Sequence, residues 1–391
     1  MHSSSIPTAR RDWVLFSALT FCFAFGFAVY GGIFQNYIRE VLHAGPEKLG
    51  TLESLREVPG LLTAFTAGIL ASLAETRLAG VALIVCALGV GLTGQTSHYW
   101  TLVAITAFWS VGAHLWFSVS PAITLSLARG REGGKYLGRM TGVGSFAVLL
   151  ALGFTWFAKS NMSYDSLFKL SGILIFAGAI CGLNIRHRAL GGARIRLLYR
   201  SEYRLYYMIT FLEGCRRQIF GTFASFVLIV VFKQDVQTIL ALSFINAVIT
   251  MIAGPIFGKW IDRYGERKLM SIYYTSLIFV FAGYALCSRI QVLYGLYILD
   301  SLLFCFGMGI TTFLHRIART ADLTPSLAMG TTMNHIAAVV VPVTGGILWK
   351  TTGNYQIPFF IGIAVVICSL IATQYIPRAN LLPERIPLAI D

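Results

Sequence analysis

The chain has 391 residues, of which 56% are hydrophobic and only 12% charged, and its net charge is +14. A soluble domain carries about 25% charged residues, so this composition excludes an ordinary soluble enzyme or binding module. The basic excess would suggest nucleic acid in a soluble protein, but here the lysines and arginines sit mainly in short gaps between apolar stretches, where membrane topology accounts for them.

Apolar runs of about 20 residues, each able to cross a hydrocarbon core of roughly 30 Å as a helix, recur from end to end. Arg10-Arg11 stand before the first run as in a twin-arginine signal, yet the run continues to Tyr37 without a small-residue cleavage site. It is therefore read as an uncleaved span over 12–37. Punctuation by Gly, Pro and charge predicts five more spans over 48–73, 78–95, 99–128, 136–158 and 166–184. Another six follow over 203–232, 236–260, 268–287, 290–318, 327–350 and 356–376. The expected fold class is an all-α membrane protein with 12 transmembrane helices. Its expected parts are a six-helix half at 1–185, a basic linker at 186–202 and a second six-helix half at 203–391.

With the N-terminus placed inside, 21 of the 31 basic residues fall in cytoplasmic segments and seven in outer ones; Arg56, Arg216 and Arg217 remain within spans. That bias predicts two cytoplasmic termini. The seven cysteines all lie in apolar segments with no CxxC and no histidine spacing of a metal site, so they are read as small buried hydrophobes and no metal or cofactor is expected.

The second half repeats the first. An offset of 190 places Gly31 on Gly221, Gly68 on Gly258 and Arg77 on Arg267, and an offset of 192 places Gly138 on Gly330 and Gly153 on Gly345. Register kept through both halves is the mark of a duplicated six-helix unit. Between the eighth and ninth spans, the segment from Gly258 through Asp262, Arg263, Gly265, Arg267 and Lys268 resembles the cytoplasmic loop motif G-x-x-x-D-R-x-G-R-[RK] of the major facilitator superfamily. The resemblance implies a monomeric secondary transporter of two pseudo-symmetric halves, with this loop as a gate. It also implies a central cavity lined by spans 1, 4, 7 and 10, with 2, 5, 8 and 11 beside them. The first-half copy departs from the motif, with Ser72 at the aspartate position and Glu75 at the second glycine. Pro342-Val-Thr-Gly345-Gly346 is similar to the tail of the family's antiporter motif but lies in span eleven instead of span five, and is read chiefly as a packing bend.

Ionisable side chains inside a membrane cost roughly 3 kcal/mol each and mark function unless neutralised. Span two carries Glu53, Arg56 and Glu57, and span seven carries Glu213, Arg216 and Arg217, both at i, i+3 and i+4 spacing. For Glu53 and Arg56, mutual neutralisation is the favoured reading; span seven has a positive charge to spare. Arg216, Arg217, His114, Asn246 and His335 fall near mid-span, with Glu57 and Asp300 slightly outward. Substrate contacts are expected from Arg216, Arg217, His114, Asn246, Asn334 and Tyr30. Proton coupling is expected from Glu57, Glu213, Asp300 and His335, with His114 as a further candidate. Arginine's planar fork favours an acidic or zwitterionic solute, and one of the two adjacent arginines is expected to face the cavity while the other anchors Glu213 or Asp300.

The nearest approach to a phosphate loop, Gly130 to Tyr136, has the wrong glycine spacing and lacks Ser or Thr after Lys135, which argues against an ATP-driven pump. No nucleophile constellation supports an enzyme. Remaining alternatives are efflux of amphipathic drugs or lipids, and a channel or scramblase, against which the paired mid-span charges favour an occludable site. Short loops suit a bacterial inner membrane. The expected partners are a small-molecule substrate, protons and the lipid bilayer, with nucleic acid excluded.

Overall fold

The computed structural model describes residues 5–70, 75–128, 133–186 and 199–377. Its helices run α1 Ser5–Glu40, α2 Pro46–Leu70, α3 Glu75–Leu92, α4 Tyr99–Leu127, α5 Gly133–Ala158 and α6 Tyr164–Leu183. They continue as α7 Arg204–Val230, α8 Val236–Tyr264, α9 Glu266–Leu286, α10 Ile290–Phe304, α11 Met308–Ile317, α12 Thr320–Thr352 and α13 Gln356–Thr373. A single 3-10 turn, Cys305–Gly307, joins α10 to α11 within the tenth span. Among the described residues the fold is thus all-helical, with twelve crossings.

Among the described residues, ten of the spans are long and apolar enough to cross a membrane by length and composition. The other two are α2 and α7, the helices that carry Glu53, Arg56 and Glu57 and Glu213, Arg216 and Arg217. Their charges lower the apolarity of the very helices that bear the polar chemistry. The eighth span extends to Tyr264, and the eleventh begins at Thr320, earlier than its sequence pattern suggests, with Pro325 inside the helix.

Helices α1, α3, α4, α5 and α6 pack against one another, as α7, α9, α12 and α13 do; α2 meets α12 and α5 meets α8 between these groups. The face where α1 begins is termed the near face and that where it ends, at Glu40, the far face. Described contacts between the groups gather in the far half. Lys350 pairs with Glu47 at 2.9 Å, Val343 N–H donates to Ser54 Oγ at 3.0 Å, and Ser225 Oγ donates to Gln35 Oε1 at 2.7 Å. At the tightest point Gly50 lies against the Pro342 carbonyl and Gly346 against the Pro46 carbonyl, with no room for a Cβ at either glycine. The Pro342–Gly346 segment therefore serves close helix packing, as small residues do where membrane helices must approach.

On the near side of these contacts α1, α4, α5 and α8 line a cavity of about 1060 Å³, reaching from Leu152 to Gly138 on α5 and from Ser243 to Met251 on α8. A second cavity of about 420 Å³ lies among the near halves of α7 and α12 and the α10–α11 junction. Contacts on one face and cavities toward the other define a two-group bundle open on its near side.

Candidate functional site

Mid-depth polar chemistry falls into two clusters. The first is confined to the second group of helices. Arg216 is only 1% exposed, although arginine is among the side chains least often buried. Its guanidinium donates to Glu213 Oε1 from Nη2 at 2.7 Å and from Nε at 2.9 Å, to Asp300 Oδ1 at 3.1 Å, and to the Tyr273 hydroxyl. Tyr273 and Tyr274 hydroxyls in turn donate to the two oxygens of Glu213, at 2.8 and 3.1 Å. A buried charge persists only when paired and hydrogen-bonded, and here two carboxylates from two helices supply that pairing.

Arg217, the next residue, is exposed and lines the smaller cavity with Glu213, Thr210, Asn334, Thr331 and His335. It makes no ion pair among the described residues and lies 5.8 Å from the centre of the Phe304 ring, whose other contact is Arg216 at 5.7 Å. Helical geometry thus gives the adjacent arginines separate environments: Arg216 locks α7 to α9 and α10, and Arg217 presents a positive fork to the cavity.

The second cluster spans both groups. On α2, Arg56 Nη2 meets Glu53 at 2.5 Å and Glu57 Oε1 at 3.3 Å. The other Glu57 oxygen faces His335 Nδ1 of α12 at 3.1 Å and His114 Nε2 of α4 at 3.5 Å. The two imidazole centroids are 5.1 Å apart, and Gly60, one turn after Glu57, leaves the space that both rings occupy. These three residues are 57 and 221 positions apart in the chain, so linear spacing carries no sign of the arrangement.

The remaining expected contacts separate. Asn246 lines the larger cavity, and its Oδ1 is buried with no donor among the described residues. Tyr30 is buried in an aromatic stack with Phe27, Phe34, Trp109 and Phe168, and is part of neither cavity lining. In the loop motif, Gly258 lies near the end of α8, and Gly265 makes the one-residue turn to α9 with φ 78°, a conformation that favours glycine. Arg263 and Lys268 lie against Tyr264, and Arg267 donates to Gln374 at 3.5 Å, all within the second group. The Asp262 side chain lies outside the described residues, as do Ser72 and the Glu75 side chain of the first-half copy.

Several participants escape sequence reasoning. Phe23, Phe117, Thr141, Ser243 and Thr250 line the larger cavity, whose described lining holds no charged side chain. Glu266, inside the loop motif, pairs with Arg316 at 3.0 Å. Isolated polar residues in apolar runs, such as Gln35 and Ser54, were the available signal; cavity-lining phenylalanines have none, because packing and lipid contact select the same residue type.

A twelve-span bundle with two groups of helices, a cavity between them and buried charge at mid-depth is the architecture of a membrane transporter. The family model of the Major Facilitator Superfamily matches residues 16–312 and 206–387, and the chain belongs to that superfamily. Among solved structures, a variant of the nucleoside transporter NupG aligns with a TM-score of 0.79 at 13% identity, over 93% of this chain and 100% of that one. Unsubstituted NupG gives 0.76 at 14% identity over 94% and 98%, and a D-xylose-proton symporter 0.73 at 13% over 93% and 97%. At such identities the likeness is one of fold. No curated protein matches the chain.

Proposed function

We propose that this superfamily member is a secondary active transporter that moves a small organic anion or zwitterion by alternating access, coupled to protons. The observation that carries the substrate class is the division of labour between the adjacent arginines. Arg216 is spent on Glu213 and Asp300, while Arg217 stands in a cavity wall beside Asn334 and Thr210. A guanidinium there offers a carboxylate or phosphate two parallel donors.

Charge arithmetic suggests the coupling. Glu213 and Asp300 against Arg216 leave one negative charge, which Arg217 balances from the cavity. An anion held by Arg217 removes that balance, and one proton on the carboxylate pair restores neutrality. Anion and proton would then travel together. Residues 186–202 would link two halves that rock about the site, and Asp262 with its neighbours would help hold the opposite state. With both termini in the cytoplasm of a bacterial inner membrane, the near-side cavities would make the described conformation inward-open. The protein would act as a monomer.

A second reading has its own support: the larger cavity, walled by Phe23, Phe27 and Phe117 without charge, suits the apolar body of an amphipathic compound, as an exporter of drugs or lipids requires. A thermal-shift screen of the purified protein in detergent against matched anionic, zwitterionic and cationic metabolites separates the two. Stabilisation by anions or zwitterions that vanishes in Arg217→Gln is expected. Stabilisation mainly by amphipathic cations, unchanged in Arg217→Gln, would instead establish the efflux reading.

A further inference from the structure

The cluster that joins the two groups of helices has a feature that hydrogen bonding within the protein leaves unexplained. Ser110 Oγ donates to the Arg56 carbonyl at 2.5 Å, so its single proton is committed and the oxygen can only accept from His114 Nδ1, 3.0 Å away. The Ser110 carbonyl, 2.9 Å from the same nitrogen, is also an acceptor. His114 Nδ1 therefore carries a proton, and in the neutral ring Nε2 is left with a lone pair, aimed at a Glu57 oxygen 3.5 Å away. Two lone pairs facing each other in a half-buried site call for a cation between them. The local charge agrees: Glu53 and Glu57 against Arg56 leave one negative charge.

We propose that Glu57, His114 and His335 form a binding site for a divalent transition-metal ion of the zinc class. Glu57 Oε2, His114 Nε2 and His335 Nδ1 all lie within 4.8 Å of one another. In a zinc site with bonds of about 2.0–2.2 Å, neighbouring donors sit roughly 3.3 Å apart. The two edges through Glu57, at 3.1 and 3.5 Å, already have that length, and only the edge between the imidazoles has to close. Two imidazoles and one carboxylate are ligands of intermediate softness, suited to zinc, cobalt(II) or iron(II) and poorly to calcium or magnesium.

The surrounding shell is that of a metal site. His114 is oriented through its other nitrogen by Ser110, and the second Glu57 oxygen is held by Arg56, contacts that fix ring and carboxylate before an ion arrives. Gly60 gives both rings room to lie against α2. His335 is also part of the smaller cavity's wall, which supplies an approach from the near side and an open coordination position. Because Glu57 and His114 belong to one group of helices and His335 to the other, the ion would bridge them.

A proton on His114 Nε2 would satisfy the same contact, so the experiment must distinguish the two cations. It uses the full chain in detergent, titrated with Co²⁺ and followed by visible absorption, with Zn²⁺ affinity measured by competition. The expected result is one equivalent of Co²⁺ with the intense bands of a low-coordinate nitrogen-ligated ion, displaced by Zn²⁺ and lost in His114→Ala and in His335→Ala. An unsubstituted protein that shows no such spectrum, or a spectrum that either variant retains, overturns the assignment and leaves the proton as the cation. Should the alanine variants fail to fold, Ser110→Ala keeps all three donors and loses only the hydroxyl that orients His114. Its Zn²⁺ affinity should fall by about tenfold, and an unchanged affinity is equally fatal to the assignment. Equilibrium binding is read without transport, so the result does not depend on the substrate proposed above.

Discussion

Arg216 and Arg217 are neighbours in the chain, yet one residue of helix turns their side chains about 100° apart, and that rotation gives them different work. Replacing Arg216 with Gln leaves Glu213 and Asp300 buried without their shared partner. Breaking such a pair costs about 3–5 kcal/mol, so Arg216→Gln is expected to unfold at a clearly lower temperature in a detergent melting experiment. Arg217→Gln, at a cavity wall, should melt within about 0.5 kcal/mol of the unsubstituted protein while losing stabilisation by anions. Equal loss of stability in both variants would contradict the division of roles. At Asp300 the prediction concerns coupling: Asp300→Asn is expected to retain exchange of labelled substrate in proteoliposomes but to lose accumulation driven by a pH gradient. Accumulation undiminished in this variant would remove Asp300 from the proton path.

At the scale of the helix, α2 and α12 are the pair on which the far-side closure rests. Gly50 and Gly346 allow their backbones to touch at the Pro342 and Pro46 carbonyls, an approach that no side chain permits. Gly50→Val should force the helices apart at that point, and a cysteine introduced at Ser54, buried beneath the contact, should become reactive to a membrane-impermeant maleimide added at the far side. Continued protection of that cysteine would show that the closure is maintained by other contacts. Helices α2 and α7 also illustrate how membrane and protein divide the cost of charge. Alone in lipid, three ionised residues per helix would be expensive to insert; packed together, they meet carboxylates, guanidinium groups, tyrosine hydroxyls and imidazoles from neighbouring helices.

For the molecule as a whole, the proposed alternating access requires the far-side contacts to break during each cycle. Cysteines at Glu47 and Lys350, whose side chains meet at 2.9 Å, should be joined by a short bis-maleimide reagent in the described conformation. Cross-linking is expected to abolish net transport while leaving ligand binding from the near side intact. Transport that survives complete cross-linking would exclude rocking about this interface. The contact between Glu57 and His335, at 3.1 Å, joins the same two groups at mid-depth.

Hydropathy, basic-residue spacing and the Gly258–Lys268 motif made the twelve crossings and the superfamily legible in the chain, because a bilayer imposes the same length and apolarity on every crossing helix. Helical periodicity also revealed that charged residues three and four positions apart share a face, which made the clusters on α2 and α7 visible one helix at a time. Which charges meet across helices was decided only by tertiary structure. Asp300 reaches Arg216 from 84 positions away and His335 reaches Glu57 from 278, through packing set by surfaces that apolar residues leave almost unmarked. The expectation of no metal rested on linear spacing, in which the donors on α2, α4 and α12 share no local pattern. Tyr30 illustrates the converse: its position in the first span suggested a cavity, but rotation of α1 turned it into the aromatic core. A helix's depth and polarity can be read along one dimension, whereas the direction each face points depends on neighbours that the chain brings together only when it folds.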